Sequence, residues 1–373
     1  MRTTAGCSAS VRPGTSDCRN RPLRALALLT VLVAAAGCSG GSSSPNAPTT
    51  VETRGYRMGF SAFPPRLVQA DYLRAVDMWI QRADAAILHE SPPWAALLSG
   101  TSAEAAVRAL HLPLVQGYKG RGLDVVFTID LTNGLDRRSE DPTLVAMGRS
   151  LKEPAVQQAY RAYALAVANV LQPSHLGLAA ETNLIRAVAP RAVYDAVVAS
   201  ANAAATDLRA AGFTAPLYVS VQVEVAWGRP GGAFAGIDAD RQDFPFANAL
   251  GLSSYPFLGG FAEPEQVPSD YYARINAARL PLLVVEGGWT SAAAFGSTPE
   301  RQARWIRRQF ELATQAQARH VFQLLFTDLD EAAYGQLGGV SLSPFAAIGL
   351  VSTELASKPA LAEWDAAFAR PRR

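Results

Sequence analysis

Short runs of branched apolar residues alternate with longer amphipathic or alanine-rich segments from about residue 55 to the end of the chain. Apolar runs bounded by proline, glycine or polar residues predict buried parallel strands, and the segments between them predict helices. The predicted strands are Tyr56–Phe60, Ala85–His89, Leu123–Asp130, His175–Glu181, Leu217–Glu224, Ala249–Tyr255, Pro281–Glu286 and His320–Thr327. The predicted helices are Gln69–Arg82, Thr101–Leu112, Glu153–Leu171, Arg191–Ala211, Ser269–Ala278, Pro299–Ala316 and Lys358–Ala369.

Strands alternate with helices rather than with turns, which favours a parallel sheet joined by crossover helices. Eight such units predict an α/β protein with a closed (β/α)8 barrel, the TIM barrel, in a single catalytic domain at residues 55–373. No Gly-x-Gly-x-x-Gly sequence follows the first strand, and this argues against a dinucleotide-binding sheet.

The first 54 residues have a different character. Arginines precede an apolar run at residues 25–36, which is too short for a permanent membrane span and ends in Ala-Ala-Gly-Cys38. This pattern predicts a signal peptide at residues 1–37, and its ending resembles the bacterial lipobox, with Ala35 where leucine is usual. The resemblance implies lipidation of Cys38, and an ordinary signal peptide with an incidental cysteine is the alternative. Residues 38–54 are rich in Ser, Gly, Pro and Thr and predict a flexible tether.

Composition narrows the possible chemistry. All three cysteines lie at or before residue 38, so the predicted barrel has no disulfide and no cysteine ligand. The four histidines lack metal-ligand spacing, and no Gly-x-Ser-x-Gly sequence lies in the barrel, so no metal and no cofactor are implied. The net charge of +2, without a basic block, argues against nucleic acid. We expect an exported monomer that a lipid anchor holds at the bacterial cell envelope, on its periplasmic or cell-surface face.

Carboxylates, amides and aromatic residues follow the predicted strands, and in a TIM barrel the chemistry collects at the carboxyl ends of the strands. Glu181 ends the fourth strand and Glu286 the seventh, so the two side chains are expected to face each other across the barrel mouth. Retaining glycosidases use two carboxyl groups about 5–5.5 Å apart. The candidate sugar-binding residues are Asn183, Tyr255, Trp289, Glu224, Asp130, Glu90, Trp94 and Trp227.

Several of these segments resemble clan A glycoside hydrolases. Residues 251–257, Gly-Leu-Ser-Ser-Tyr-Pro-Phe, are similar to a segment of the endo-β-1,4-galactanases. Residues 286–291, Glu-Gly-Gly-Trp-Thr-Ser, resemble the nucleophile segment of β-glucanases in the same clan. Residues 349–360 resemble the segment that follows the eighth strand in members of this clan. Taken together with the eight-unit pattern, the resemblance spans residues 55–369.

The resemblance implies a role for each matching residue. Glu286 would be the nucleophile, Glu181 the general acid/base, and Tyr255 a hydrogen-bond donor to the nucleophile. Most clan members have asparagine directly before the acid/base, where its amide contacts the 2-hydroxyl of the sugar, but this chain has Ala180 there. Asn183 is the candidate replacement for that amide.

The sequence therefore predicts a retaining glycoside hydrolase that cleaves β-glycosidic bonds of a polysaccharide or oligosaccharide by double displacement. Ala180 leaves a second hypothesis open, a catalytically inactive barrel lipoprotein that binds a glycan or a protein partner.

A purely structural role is also open for most of the candidate residues. The glutamates at the fourth, fifth and seventh strand ends could each form an ion pair with a basic residue. Glu90 could anchor its loop through a hydrogen bond, Asp130 could cap a loop with Asn133, and Trp94 and Trp227 could pack under their own loops. Trp79 and Trp305 fall within helical periods and are expected to pack in the core.

Overall fold

Eight parallel strands form a closed barrel, and they follow one another around it in sequence order. The computed structural model describes residues 52–335 and 340–373. The strands are β1 (Arg57–Ser61), β2 (Ala85–Glu90), β3 (Asp124–Ile129), β4 (His175–Ala179), β5 (Leu217–Gln222), β6 (Ala249–Ser254), β7 (Leu282–Gly287) and β8 (His320–Gln323). The predicted (β/α)8 fold is confirmed.

Helices connect the strands. In the described residues the α-helices are α1 (Gln69–Trp79), α2 (Trp94–Leu98), α3 (Ala103–Leu110), α4 (Leu112–Lys119), α5 (Pro142–Ala146), α6 (Pro154–Ala166), α7 (Thr182–Val188), α8 (Arg191–Ala210), α9 (Val223–Ala226), α10 (Asp238–Asp243), α11 (Pro299–Gln315), α12 (Glu331–Tyr334), α13 (Ser343–Ala346) and α14 (Pro359–Phe368). Three 3₁₀ segments lie at Ile80–Arg82, Pro264–Gln266 and Ala293–Phe295, and α6 continues into a π-helical turn, Val167–Leu171. A search of the described helices finds none long and apolar enough to cross a membrane.

One predicted helix, Ser269–Ala278, is a series of turns instead. Tyr271 and Tyr272 within it are both fully buried. The helix prediction was therefore wrong for this segment.

The amino-terminal predictions fall largely outside the described residues. These comprise the signal peptide at residues 1–37, the lipid site at Cys38 and nearly all of the tether. The last tether residue, Arg54, is buried; its guanidinium pairs with Asp84 and donates to the carbonyl oxygen of Tyr56 at 2.8 Å. Its backbone N–H donates to the carbonyl oxygen of Pro371 at 3.0 Å. Arg54 therefore belongs to the folded domain, which the sequence predicted to begin at residue 55.

Two apolar clusters fill the barrel and its surroundings. The barrel interior is packed by Ala85, Ile87, Val126, Tyr218, Ala249, Leu283, Val285 and Phe322. A larger cluster lies between the strands and the helices, and it contains Trp79 and Trp305 as predicted. Side chains of a strand point alternately to these two sides.

A single tyrosine organises the middle of the barrel. Tyr218 of β5 is fully buried, and its hydroxyl lies 2.6 Å from Thr128 Oγ1. Its ring occupies the space beside Gly177 of β4 and Gly251 of β6. A Cβ atom added at Gly177 would lie 2.7 Å from the ring, and one added at Gly251 would lie 3.0 Å away. The two glycines are therefore required by the close approach of the tyrosine.

We expect Gly177→Ala to lower the free energy of unfolding by about 1–3 kcal/mol, because overpacking forces the ring or the backbone to shift. Gly117→Ala is the matched control: this glycine lies in α4, and an added Cβ has no neighbour closer than 3.8 Å. The control should leave stability unchanged or raise it by up to about 1 kcal/mol. Denaturant titration measures both variants, and equal stability of the two would contradict this account of the core.

Candidate active site

The side chain of Ser253 connects the two predicted catalytic carboxyl groups. Its Oγ lies 2.5 Å from Glu181 Oε1 and 2.6 Å from Glu286 Oε1. These oxygens are therefore no farther apart than the sum of the two contacts, about 5 Å, so the two carboxyl groups are close enough for a retaining rather than an inverting arrangement. Sequence reasoning missed Ser253, because a serine in a strand gives no catalytic signal of its own.

A bulge in β7 turns Glu286 into the barrel mouth. Val285 faces the barrel interior and Val284 the outer cluster, so strict alternation places Glu286 on the outer face. The pairing of β6 with β7 shifts at this point from Leu252–Val284 to Ser253–Glu286. Bulges re-aim side chains in this way, and here the shift sets Glu286 beside Ser253.

Glu181 reaches the same place through an unusual backbone conformation. It precedes α7 with φ 47° and ψ 46°, in the left-handed region. Its backbone N–H donates to Ser220 Oγ at 2.9 Å, and the residue is only 5% exposed. A non-glycine residue in this region is strained, and such strain is commonly found at functional sites.

Arg137, in the loop after β3, forms an ion pair with Glu181. Its Nε donates to Glu181 Oε2 at 2.8 Å, and its Nη1 donates to the two carboxylate oxygens of Asp130 at 2.7 and 2.6 Å. Asp130 also accepts the backbone N–H of Thr132 at 3.1 Å. Glu181 therefore has both an ion pair with a basic residue and the Ser253 contact. Sequence reasoning did not identify Arg137, because the candidates were chosen at the ends of the predicted strands and Arg137 lies farther along a loop.

The two Ser253 contacts fit a carboxyl pair that carries one proton. A serine hydroxyl donates a single hydrogen bond, so both Ser253 contacts are hydrogen bonds only if one carboxyl group is protonated and donates to Ser253. Burial, and then the negative charge of Glu181, raise the pKa of Glu286 well above its ordinary value. Burial and the charge of Glu181 therefore favour a proton on Glu286.

His89 and Glu90 end β2 and point in different directions. His89 lines the cavity; its Nε2 donates to the carbonyl oxygen of Val285 at 3.0 Å, and its Nδ1 lies 3.9 Å from Glu286 Oε2. Burial lowers the pKa of His89, so the ring is neutral at pH 7. Glu90 does not line the cavity, and burial raises its pKa to about 7. Its predicted sugar contact was wrong, because strand alternation gives the inward position to His89.

Asn183 holds the end of β5 and does not reach the cavity. It is 1% exposed; its Oδ1 accepts the backbone N–H of Gln222 at 2.7 Å, and its Nδ2 donates to the carbonyl oxygen of Gln222 at 2.8 Å. The prediction that Asn183 supplies the sugar-binding amide missing at Ala180 was therefore wrong. Gln222, which sequence reasoning missed, lines the cavity with its own side chain.

Tyr255 lines the cavity as expected, but its hydrogen bonding differs from the prediction. Within the described residues its hydroxyl makes no hydrogen bond to Glu286, and Ser253 makes that contact instead. The Tyr255 ring packs edge-on against Phe345, with 5.1 Å between the ring centroids. Tyr255 therefore forms part of the cavity wall.

Glu224 lies outside the cavity lining and supports Tyr255. It is 4% exposed, and its Oε1 accepts the backbone N–H of Tyr255 at 2.9 Å and the hydroxyl of Tyr271 at 3.1 Å. Burial raises its pKa to about 7. The predicted sugar contact was wrong, and no basic residue of the described chain pairs with Glu224 either. It is a hydrogen-bonded anchor of the loop after β6.

The three predicted stacking tryptophans are packed away from the cavity. Trp289 is 1% exposed and lies against Trp305, with 5.6 Å between the ring centroids. Trp94 is equally buried, and Trp227 donates its Nε1 to the carbonyl oxygen of Tyr271 at 2.9 Å. None of the three lines the cavity. The stacking predictions were wrong because these rings fill the space beneath their own loops.

The carboxyl pair opens into a cavity of about 640 Å³ at the barrel mouth. Its size is typical of small-molecule sites. Of the predicted site residues, Glu181, Glu286, Asp130 and Tyr255 line it. Further polar side chains come from β2, from the loops after β2 and β3, and from the end of β5. Most of the apolar lining comes from the loops after β1 and β8, and Leu135 after β3 and Leu184 of α7 add to it.

A second cluster of titratable residues lies at the amino ends of the strands. The possible ligand atoms of Asp124, His175 and His320 lie within 4.8 Å of one another. The sequence did not indicate this group, because its members are far apart along the chain. Closure of the barrel brings the first residues of their strands together. His320 Nε2 lies 2.8 Å from Asp124 Oδ2, and Arg57 Nε lies 3.5 Å from the same oxygen. Arg57 supplies the positive charge beside this carboxylate. We therefore assign the cluster a structural role, in which ionic and hydrogen-bond contacts hold the amino ends of these strands together.

No family model and no curated protein sequence matches this chain. Solved structures do match it. An exo-β-1,4-mannosidase from an Opitutaceae bacterium superposes with a TM-score of 0.63 at 16% identity, over 85% of this chain and 59% of that one. A GH5_18 structure from Streptomyces cattleya in complex with GlcNAc gives 0.60 at 17% identity, over 86% and 83%.

A family 39 glycoside hydrolase from Bacteroides cellulosilyticus gives a TM-score of 0.59 at 16% identity, over 85% of this chain and 64% of that one. This chain therefore spans less than two thirds of the length of the mannosidase and of the family 39 enzyme. At these identities the likeness is one of fold. The chain shares its (β/α)8 barrel with glycoside hydrolases of families 5 and 39, which agrees with the clan A resemblance in its sequence.

Proposed function

We propose that this protein is a retaining glycoside hydrolase that cleaves β-glycosidic bonds, with Glu286 as nucleophile and Glu181 as general acid/base. The observation that carries the proposal is the contact of both carboxyl groups with Ser253, which holds their nearest oxygens within about 5 Å of each other, close enough for double displacement. The shared (β/α)8 barrel supports it at the level of fold.

In the first step the Glu286 carboxylate attacks the anomeric carbon and the glycosidic C–O bond breaks. Glu181 gives its proton to the departing oxygen. In the second step Glu181 takes a proton from water, whose oxygen attacks the anomeric carbon, and the ester bond to Glu286 breaks. The second step restores the carboxylate of Glu286 and the proton of Glu181.

Ser253 supplies the route by which the shared proton reaches Glu181. In the empty site, burial and the charge of Glu181 favour protonation of Glu286. A protonated Glu286 donates to Ser253 Oγ while the Ser253 hydroxyl donates to Glu181. Concerted transfer along these two hydrogen bonds moves the proton to Glu181 and leaves Glu286 ionised for attack.

Gln222 is our candidate for the sugar-binding amide that Ala180 cannot supply. The Asn183 side chain hydrogen-bonds both the backbone N–H and the carbonyl oxygen of Gln222 and so holds this residue in place. The Gln222 side chain lines the cavity. Asp130, Arg137 and Gln222 thus present polar groups for sugar hydroxyls beside the carboxyl pair.

We expect Glu286→Gln to abolish hydrolysis of aryl β-glycosides and Glu181→Gln to lower kcat by about 10²–10⁴-fold, the usual contribution of a general acid/base. Glutamine keeps the shape of the side chain but neither attacks the anomeric carbon nor transfers a proton. Initial rates on a panel of aryl β-glucosides, β-galactosides and β-mannosides measure both effects.

Glu90→Gln is the matched control, because this carboxyl group also ends a strand but lies outside the cavity lining. It should retain wild-type rates. Unchanged hydrolysis in both the Glu181 and Glu286 variants would refute the assignment. A 2-deoxy-2-fluoro glycoside that labels Glu181 instead of Glu286 would show that the two roles are reversed.

Ser253→Ala should move the acid limb of the pH–kcat/KM profile to higher pH. The Ser253 hydrogen bond lowers the pKa of Glu286. Its loss raises that pKa, so a higher pH is needed to ionise the nucleophile. Ser254→Ala is the control, because its hydroxyl lies 3.3 Å from Glu224 and not at the carboxyl pair. An acid limb that stays in place, or moves equally in the control, contradicts the role of Ser253.

The second candidate function is a barrel that binds a glycan without cleaving it. The ion pair of Arg137 with Glu181 favours it, because a carboxylate held by arginine is a poor proton donor. Absence of hydrolysis over the whole glycoside panel, together with calorimetric binding of one of these sugars by the wild-type protein, would establish this second function.

We also propose that the barrel is exported and anchored at the cell envelope by a lipid on Cys38. The support is the signal-peptide pattern of residues 1–37 and its lipobox-like ending. The wild-type chain expressed in a bacterium should incorporate labelled palmitate and partition with membranes. Cys38→Ser should lose the label, whereas Cys18→Ser, within the same signal segment, should keep it. Equal labelling of the two variants would refute the anchor.

A further inference from the structure

The cavity has a continuous apolar side formed by the loop after β8. This apolar wall comprises Leu324, Leu325, Leu329, Tyr334, Leu342 and Phe345. Leu325, Leu329 and Leu342 are less than a tenth exposed and pack in one cluster with Ile348. The Tyr334 hydroxyl donates to the carbonyl oxygen of Pro64 at 2.6 Å, so its polar atom is already bonded within the protein.

The apolar wall begins next to the carboxyl pair. The backbone N–H of Leu324 donates to the carbonyl oxygen of Gly287 at 3.1 Å, and Gly287 directly follows Glu286. Tyr255 lines the same cavity and packs edge-on against Phe345. A group attached to a sugar at the carboxyl pair therefore lies within reach of the wall.

The polar groups of the cavity lie on other loops. Asp130 and Arg137 follow β3, Gln222 ends β5 and His89 belongs to β2. The polar side chains thus lie mainly away from the apolar wall, although Leu135 after β3 and Leu184 of α7 also line the cavity. Of the described lining residues none is tryptophan, the usual stacking platform for successive sugar rings.

Apolar side chains continue to the opening of the cavity. Phe63, in the loop after β1, and Val188, at the end of α7, line it and are 38% and 42% exposed. Exposed apolar residues that adjoin a cavity mark a ligand path when they extend a buried apolar surface. Phe63 adjoins the apolar wall, because the carbonyl oxygen of the next residue, Pro64, accepts the hydroxyl of Tyr334 at 2.6 Å.

We infer that the substrate class is a β-glycoside with an apolar aglycone, such as an alkyl or lipid glycoside. This inference rests on the proposed function, since it assigns the sugar to the carboxyl pair and the aglycone to the apolar wall. The cavity of about 640 Å³ exceeds the volume of one pyranose ring and leaves room for such a group. A second sugar on the wall would lose its hydrogen bonds to water without gaining new ones from leucine.

Calorimetry with the Glu286→Gln protein tests the inference without turnover. The probes are n-alkyl β-glucosides, β-galactosides and β-mannosides from methyl to hexyl, each below its critical micelle concentration. For at least one sugar, affinity should rise about fourfold for each added methylene, the effect of burying one CH₂ group. Affinity that does not change with chain length in any series overturns the inference.

Two further substitutions in the Glu286→Gln protein test whether the alkyl chain lies on the apolar wall. Phe345→Ser and the exposed Phe63→Ser should each reduce the dependence on chain length, and a melting curve verifies their folding. Phe63→Ser keeps the test decisive if the Phe345 variant does not fold. The control is Leu258→Ser, an exposed leucine outside the cavity lining. Loss of the dependence in the control alone would overturn the assignment.

Turnover by the wild-type protein separates failure of this inference from failure of the proposed hydrolase activity. Hydrolysis with equal kcat/KM for methyl and hexyl glycosides refutes the apolar aglycone and retains the hydrolase. Affinity that depends on chain length, without any hydrolysis, refutes the hydrolase and retains the apolar aglycone site.

Discussion

The contact of two carboxyl groups, Glu181 buried and Glu286 partly buried, with one serine hydroxyl determines how the rest of the site is built. Two negative charges about 5 Å apart repel each other by on the order of 3 kcal/mol at an effective dielectric constant of about 20. That energy disfavours the doubly charged pair by roughly two orders of magnitude, because 1.4 kcal/mol corresponds to a factor of ten. One proton on the pair removes this repulsion, and Ser253 Oγ contacts both carboxyl groups.

The neighbouring residues serve this pair by fixing its charge and its geometry. Arg137 balances the negative charge, and Asp130 holds Arg137 through both of its oxygens. His89 stays neutral and is fixed by the carbonyl oxygen of Val285, so it adds no charge beside Glu286. These side chains come from four strand ends, which only a closed barrel brings to one mouth.

Sequence reasoning identified the fold and the carboxyl pair, but not most of their surroundings. Eight apolar runs separated by helical segments leave few topologies besides the barrel, and strand-end glutamates stand out because an unpaired charge there is costly. Residues such as Trp289 and Asn183 follow strand ends too, yet the direction of a loop side chain depends on contacts from distant segments. Even Glu286 was placed correctly for an incomplete reason, since alternation alone turns it outward and only the bulge in β7 brings it inside. Strand alternation favours His89 over Glu90 for the cavity, but the sequence analysis named Glu90 because both residues end the strand.

The apolar wall and the shared proton are linked by the same physical cause. Burial is the largest contribution to the raised pKa of Glu286, and apolar side chains such as Leu324 and Leu325 form part of its surroundings. An alkyl group on this wall removes further water from the carboxyl pair, and charge interactions strengthen where water is excluded. The aglycone that the apolar wall favours thereby also disfavours the doubly charged state of Glu181 and Glu286. In the proposed mechanism, retention of the proton that the leaving group needs is thus coupled to recognition of that same leaving group.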